Sequence, residues 1–378
     1  MKRDLDPLTL TRELLSFNTI NPPGRERKCA QYLGRLLEDG GFETNFYEFE
    51  MERTSLIARM EGSRNKDPLC FSGHIDTIPL GNEKWNKDPF QGEVDGDKVY
   101  GRGSSDMKSG VAAMVVAALR LSRMSKGTAG IILVFSAGEE TGSQGVSHLA
   151  KLGNVLGKSG AIIVGEPTSN YPLVGHKGSL WVEVQTTGVS AHGSMPERGV
   201  NAIYKAVATV NQLQKFDFGV SSDPILGAPT LNVGTISGGV NINSVPDHAQ
   251  IGLDIRTIPG QSNHEVYERL RSYLGEEVAI RKILDVGSVT TDPKDLWVQE
   301  VFKIMESFLK ESPVPRGVAY FTDASILTPA FGNPPTIILG PGEPSMAHKT
   351  DEFCYVSKIM EATEAYLEIA EKWCESRS

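Results

Sequence analysis

The sequence predicts an α/β fold, a mainly parallel sheet flanked by helices and interrupted by a second unit of different character. Three observations predict it. Several short apolar, β-branched runs are each closed by glycine and then by polar residues, the pattern of strands buried on both faces. Helical stretches with apolar residues three and four apart lie between and around those runs. Between residues 178 and 290 the strands alternate apolar and polar, which implies a sheet with one wet face.

Four runs define the main sheet: Leu69-Cys70-Phe71-Ser72, Ile131-Ile132-Leu133-Val134-Phe135, Ala161-Ile162-Ile163-Val164 and Thr336-Ile337-Ile338-Leu339. The spacing predicts helices near 30–38, 107–124, 143–152, 296–309 and 356–373. In the interrupting stretch, 180–185 reads as a strand, 201–214 as a helix, 230–236 and 250–257 as strands, 264–274 as a helix and 278–284 as a strand. That order, β-α-β-β-α-β, is the order of a split ferredoxin-like unit. The domain reading is therefore one α/β domain built from 1–177 and 291–378, with 178–290 inserted.

Composition narrows the function classes. At about 150 residues per domain, 378 residues suggest two or three domains. Apolar residues at 39% against 22% charged describe a chain that can bury a core rather than a disordered polyelectrolyte. A net charge of −9 with no basic run argues against nucleic acid and anionic lipid as partners. The apolar stretches 111–119 and 131–137 fall short of the roughly 18 residues needed to cross a bilayer. The charged start, Met1 to Asp6, is followed by no apolar segment, so no secretory signal is expected. Cys29, Cys70, Cys354 and Cys374 form no C-x-x-C pair, and a reduced, cytoplasmic setting is expected.

Ligands of open α/β sheets bind beyond the carboxyl ends of the strands, so the residues after each run matter most. These are Gly73-His74-Ile75-Asp76, then Ala137-Gly138-Glu139-Glu140, then Gly165-Glu166-Pro167, and Gly340-Pro341-Gly342 leading to Ala347-His348. Asp106 closes the glycine-rich segment Gly101-Arg102-Gly103-Ser104-Ser105 just before a helix. So many carboxylates at one edge repel unless cations hold them, which points to a polynuclear metal site. Oxygen and imidazole donors without thiolate suit Zn²⁺, Mn²⁺ or Co²⁺ in a catalytic setting. His74 and Asp76 stand two apart on a strand, so Asp76 is expected to accept the second imidazole proton. Taken singly, Asp106 reads as a helix N-cap, Glu139-Glu140 as a solvated helix start and His348 as a loop residue. Their joint placement at four strand ends is what carries the chemical reading.

These residues resemble a known family, the dinuclear zinc amidohydrolases and exopeptidases that include acetylornithine deacetylase, succinyl-diaminopimelate desuccinylase, aminoacylase and glutamate carboxypeptidase. The resemblance spans nearly the whole chain and rests on the segments Ser72 to Pro79, Tyr100 to Lys108, Ser136 to Ser143, Val164 to Thr168 and Ala347 to Glu352. It implies that His74 and Glu166 hold one zinc, Glu140 and His348 the other, and that Asp106 bridges them. Glu139 would be the general base and later the proton donor to the leaving amine. A cis peptide bond is expected at Asp106–Met107. Gly188 to Pro196 is similar to part of the family's dimerisation domain, which implies a homodimer with His192 stabilising the oxyanion in the neighbouring subunit's site. Asn241 to Pro246 and Asp254 to Arg256 resemble the segments that bind the substrate α-carboxylate, so Arg256 is the expected anchor, assisted by Asn243.

The resemblance implies hydrolysis of an N-acyl amino acid, with Gly165 to Thr168 and Gly175 to Gly178 nearer to acetylornithine deacetylase than to the desuccinylase. A dipeptidase or carboxypeptidase is the enzyme alternative, and a catalytically silent binding or scaffold protein is the alternative of another class. A dinuclear phosphoesterase lacks clustered Arg and Lys. Gly101-x-Gly103 and Gly153-x-x-x-Gly157-Lys158-Ser159 fail as nucleotide motifs, and neither G-x-S-x-G nor H-E-x-x-H occurs. Trp85 reads as loop packing, and His148, His176, His248 and His264 carry no assigned chemistry.

Overall fold

A computed structural model describes residues 5–62, 66–124 and 129–375, so Met1 to Asp4 of the charged start lie outside the described residues. In chain order its helices and strands are α1 (Pro7–Leu15), α2 (Arg27–Asp39), β1 (Glu43–Glu50), β2 (Arg53–Met60), β3 (Leu69–His74), β4 (Glu93–Asp95), β5 (Lys98–Tyr100), α3 (Ser109–Met124), β6 (Ile131–Ser136), α4 (Gln144–Lys151) and β7 (Ala161–Val164). There follow β8 (Gly175–His176), β9 (Gly178–Thr187), α5 (Ala202–Leu213), β10 (Thr230–Gly238), β11 (His248–Thr257), α6 (Asn263–Leu274), β12 (Val278–Val286) and β13 (Val289–Thr290). The chain ends with α7 (Leu296–Leu309), α8 (Ala324–Ala330), β14 (Thr336–Ile338), β15 (Phe353–Tyr355) and α9 (Val356–Glu375). No described helix is long and apolar enough to cross a membrane.

The chain divides into two compact units. The first holds the described residues up to Gly175, Thr290–Arg316, and those from Thr322 onward. Its main sheet runs β1-β2-β6-β3-β7-β14. The last four of these strands are mutually parallel, while β1 and β2 form an antiparallel hairpin at one edge. Every residue of β3, β6, β7 and β14 is buried, as continuous apolar runs require when helices cover both faces. Parallel pairing puts the carboxyl ends of all four on one edge. Two glycines let main chain close in there: a Cβ on Gly110 of α3 would lie 2.4 Å from the Gly165 carbonyl oxygen, and one on Gly340 would lie 2.1 Å from it.

The second unit holds His176–Val289 and Gly317–Phe321. Its antiparallel sheet runs β10-β11-β9-β12. Alternate residues of β9 and β11, including Leu180, Val182, Val184, Ile251, Leu253 and Ile255, pack against Ala206 and Leu213 of α5 and Val266 and Leu270 of α6. The opposite face is the wetter one, which is why these strands alternate and those of the first unit do not. The sequence reading ran 291–378 as one piece of the first domain. Gly317–Phe321 instead falls with the second unit, because the Lys177 N–H donates to the Val318 carbonyl at 3.0 Å and His176 bridges Val318.

His176 gives the second unit a pH dependence. The ring is fully buried and its Nδ1 donates to the Lys177 carbonyl at 2.8 Å, while Nε2 has no partner among the described residues. Burial pushes its pKa down from 6.5 to about 4. Below pH 6.5 the unfolded chain protonates this ring and the folded chain does not, so its contribution is whole above pH 6.5 and fades as pH falls toward 4. The loss is about 1.4 kcal/mol for each pH unit in that window. The urea midpoint is expected to fall steadily from pH 6.5 to 4, and less steeply in His176→Gln; equal slopes would refute the assignment.

Candidate active site

In the first unit, four side chains from the end of β3 and from the segments that follow β6, β7 and β14 gather around the Asp106 carboxylate. Asp106 Oδ1 lies 3.0 Å from His74 Nε2, and Asp106 Oδ2 lies 3.4 Å from His348 Nε2. His348 Nε2 is also 3.1 Å from Glu140 Oε2, and His74 Nε2 is 3.9 Å from Glu166 Oε2. His74, Asp106 and Glu140 present ligand atoms within 4.8 Å of one another. His74 ends β3, and Glu166 stands two residues beyond the end of β7. Glu140 follows β6, and His348 sits at φ 64°, left-handed backbone that aims the ring inward from the loop after β14. The Asp106–Met107 peptide is cis, and Asp106 itself has φ −120° and ψ 89°, outside the helix it precedes.

Proton positions follow from the partners. His74 Nδ1 faces the Asp76 main-chain oxygen at 3.0 Å, so Nδ1 carries the donor hydrogen. The Nε2 lone pair of a neutral ring then points at two carboxylates, an arrangement that only a proton or a cation between them can hold. Six carboxyl groups, those of Asp76, Asp106, Glu139, Glu140, Glu166 and Asp323, crowd around two imidazoles, and all six are largely withdrawn from solvent. Burial, then the neighbouring Asp106, lifts Glu140 to about 7. Burial raises Glu139 and Glu166 well above the carboxylate range, reinforced at Glu139 by Glu166, Asp323 and Glu140 and at Glu166 by Asp106, Glu140 and Asp323. Hydrogen bonds to Asp106 and then Glu140 lift His348 to about 10. Burial would raise Asp106, but His348 and His74 hold it below the usual range. The donor set carries surplus negative charge, its contacts of 3.0–3.4 Å match the spacing of about 3.3 Å between ligands of one tetrahedral Zn²⁺, and Glu140 Oε1 is buried without a partner among the described residues. These residues fit dications.

Asp76 stands beside His74 Nδ1, its Oδ1 at 3.5 Å and its main-chain oxygen at 3.0 Å. The carboxylate also accepts from the N–H groups of Glu139 (3.1 Å) and Glu140 (3.2 Å) and from Asn21 Nδ2 (2.8 Å). Asn21, buried and also donating to Thr141 Oγ1 at 2.8 Å, was missed by sequence reasoning, as was Asp323, which accepts from Ser136 Oγ at the end of β6. Trp85 donates to the Leu80 carbonyl at 3.1 Å and lies beside Arg102, as loop packing requires.

The remaining candidates belong to the second unit. His192 and Asn243 are adjacent: Gly193 N–H donates to the Asn243 carbonyl at 2.7 Å, and a Cβ on Gly193 would collide with Asn243 main chain at 2.9 Å. Ser194 N–H donates to His192 Nδ1 at 3.1 Å, so the neutral ring carries its hydrogen on Nε2 and offers it from an exposed position. Arg256 pairs with Asp254 through Nε at 2.9 Å, and its Nη1 has no partner among the described residues. Arg256 stands near the far end of β11, eight residues or about 26 Å along the strand from His248, whereas Asn243 lies in the loop before His248.

The sequence profile described as peptidase family M20/M25/M40 matches residues 70–372, which contain all of these candidates. The chain belongs to the M20/M25/M40 family. Among its relatives are a protein named probable succinyl-diaminopimelate desuccinylase from Staphylococcus epidermidis, 29% identical and covering 96% of this chain and 98% of that one. An acetylornithine deacetylase from Photorhabdus laumondii is also 29% identical, covering 96% and 95%. The crystal structure of an M20 family metallo-carboxypeptidase from Sulfolobus solfataricus shares the fold with a TM-score of 0.83 at 20% identity, covering 98% of this chain and all of that one. This M20-family hydrolase is thus matched along its length by relatives bearing two different deacylase names.

Proposed function

We propose that this M20 hydrolase cleaves the amide bond of an N-acyl amino acid, as acetylornithine deacetylase or succinyl-diaminopimelate desuccinylase would, releasing a carboxylate and a free amino acid. The observation that carries the reading is Asp106, with one oxygen toward His74 and the other toward His348. His74 and Glu166 would hold one Zn²⁺, Glu140 and His348 a second, and Asp106 both; Co²⁺ or Mn²⁺ suits the same donors. When bound, the two dications would polarise the scissile carbonyl and make the attacking water acidic. Glu139 takes that water's proton on its carboxylate and hands it to the departing nitrogen, a transfer for which its raised proton affinity is suited. Asp76 keeps Glu139 and Glu140 in register through their N–H groups.

The Arg256 fork, with Nη1 uncommitted, is our anchor for the substrate carboxylate. We assign the second unit as a ferredoxin-like dimerisation domain. Among the described residues its edge strand β10 is unpaired on one side, and Tyr204, Val207, Ile236, Val240 and Ile242 are exposed apolar side chains that a second copy would cover. In such a homodimer His192 would stabilise the oxyanion in the neighbouring subunit's site, while Asn243 would assist Arg256 at the substrate carboxylate. The four buried cysteines, far apart in sequence with no C-x-x-C pair, suit a reducing cytoplasm. The test is a panel of N-acetylornithine, N-succinyl-diaminopimelate and dipeptides with Zn²⁺- or Co²⁺-loaded protein. At least one N-acyl amino acid is expected to exceed every dipeptide about 100-fold in kcat/KM. Preference for a dipeptide would make the chain a dipeptidase, and no turnover would make it a binding protein.

A further inference from the structure

Glu352 lies four residues beyond His348 and is fully buried. Its carboxylate accepts four hydrogen bonds. Oε1 takes the main-chain N–H of Ser105 at 2.8 Å and of Asp106 at 3.0 Å. Oε2 takes the N–H of Gly103 at 3.0 Å and Arg102 Nη1 at 2.7 Å. Arg102, only 2% exposed, reaches further: Nη1 donates to the Lys349 carbonyl and Nη2 to the Pro79 carbonyl, each at 3.2 Å. One ion pair therefore joins the segment after His74, the loop that ends in Asp106, and the loop that carries His348. Asp351, next in the chain, fastens the same loop outward by accepting from Asn86 N (2.7 Å), Asn86 Nδ2 (2.6 Å) and Lys87 N (3.2 Å).

Stability alone does not account for such a pair. Withdrawing a carboxylate and a guanidinium from water carries a desolvation cost that their attraction barely repays, and well-packed apolar residues can replace a buried pair with no loss of stability. Apolar side chains cannot, however, orient N–H groups. Three main-chain donors within four residues, all aimed at one carboxylate, fix the direction in which the chain enters Asp106, and charge-assisted bonds do so more stiffly than neutral ones. Asp106 must present one oxygen to each imidazole, so a small rotation of its backbone would spoil both contacts at once.

We propose that Glu352, clamped by Arg102, is the positioning residue of the centre: it sets Asp106 between His74 and His348 and holds their three loops in one frame. The proposal rests on the dinuclear reading above. In that reading the Glu352 and Arg102 side chains touch neither substrate nor any ion; Glu352 acts through the main chain of Asp106 and through the loop of His348.

The test uses a double apolar variant, Arg102→Met with Glu352→Met, and a single isosteric one, Glu352→Gln. Full-length metal-free protein is titrated with Co²⁺ and followed by visible absorption, with circular dichroism to establish folding. The wild type is expected to take up two equivalents. The double variant is expected to fold, to bind both equivalents about 10- to 100-fold more weakly, and to lose kcat by a similar factor. Its KM should stay within about threefold, because substrate contacts are untouched. Glu352→Gln keeps one acceptor oxygen and should show the same losses. Normal Co²⁺ uptake and normal kcat in the folded double variant would overturn the proposal alone. Failure of both variants to fold would overturn it too, since the pair would then be a stability element. Fewer than two equivalents in the wild type would bring down the dinuclear reading and this proposal with it.

Discussion

Glu139→Gln is expected to lower kcat by about 10²- to 10⁴-fold while the protein still binds two metal ions, because a neutral amide can neither take the water's proton nor return it to the leaving nitrogen. The substitution preserves shape at a side chain that is 6% exposed, so the surrounding packing should survive it. The Glu139 N–H that donates to Asp76 at 3.1 Å is main chain and is unaffected. Burial, with Glu166, Asp323 and Glu140 nearby, raises the proton affinity of Glu139, so the change also removes a group whose charged form the site disfavours. The metal-free variant is accordingly expected to be no less stable than the wild type. Steady-state kinetics beside elemental analysis of dialysed protein decide the matter. Undiminished kcat would remove Glu139 from the mechanism, and loss of metal would make it a ligand instead of a base.

Most of this centre was legible because burial leaves a plain signature. A strand covered on both faces shows no polar position, so β3, β6, β7 and β14 announce themselves as apolar runs, and the groups at their carboxyl ends follow immediately in sequence. The β1–β2 hairpin gave no such signal. β1, at the sheet's edge, has no buried position and exposes Phe46 among its glutamates, and β2 opens on Arg53, an arginine whose burial is matched by Glu26 at 3.0 Å. Periodicity has no means of anticipating a partner 27 residues away. The same limit hid Asn21, which reaches Asp76 across 55 residues, and the Arg102–Glu352 pair, which spans 250. Sequence pattern thus finds the ionisable groups that gather beyond the strand ends, whereas the groups that hold them there come from loops whose meeting only the folded chain brings about.

Asp106→Ala is expected to abolish uptake of both ions together and to reduce kcat at least about 10³-fold, several kcal/mol of barrier at about 1.4 kcal/mol per tenfold. A ligand serving a single ion would leave the other in place. Asp106 differs because its two oxygens face opposite imidazoles at 3.0 and 3.4 Å, so either position loses a donor when the side chain goes. Calorimetry separates this from a folding defect. Zn²⁺ at about 100 times its dissociation constant should stabilise the wild type by about 2.7 kcal/mol per site, seen as a rise in Tm, and the Ala variant should show no rise. Chelation followed by dialysis should likewise silence the wild type reversibly, with Zn²⁺ or Co²⁺ restoring turnover, whereas the variant stays silent whichever ion is added. A variant that retains one equivalent with high affinity would show that Asp106 serves one imidazole only, and the shared carboxylate on which the two-ion reading depends would be lost.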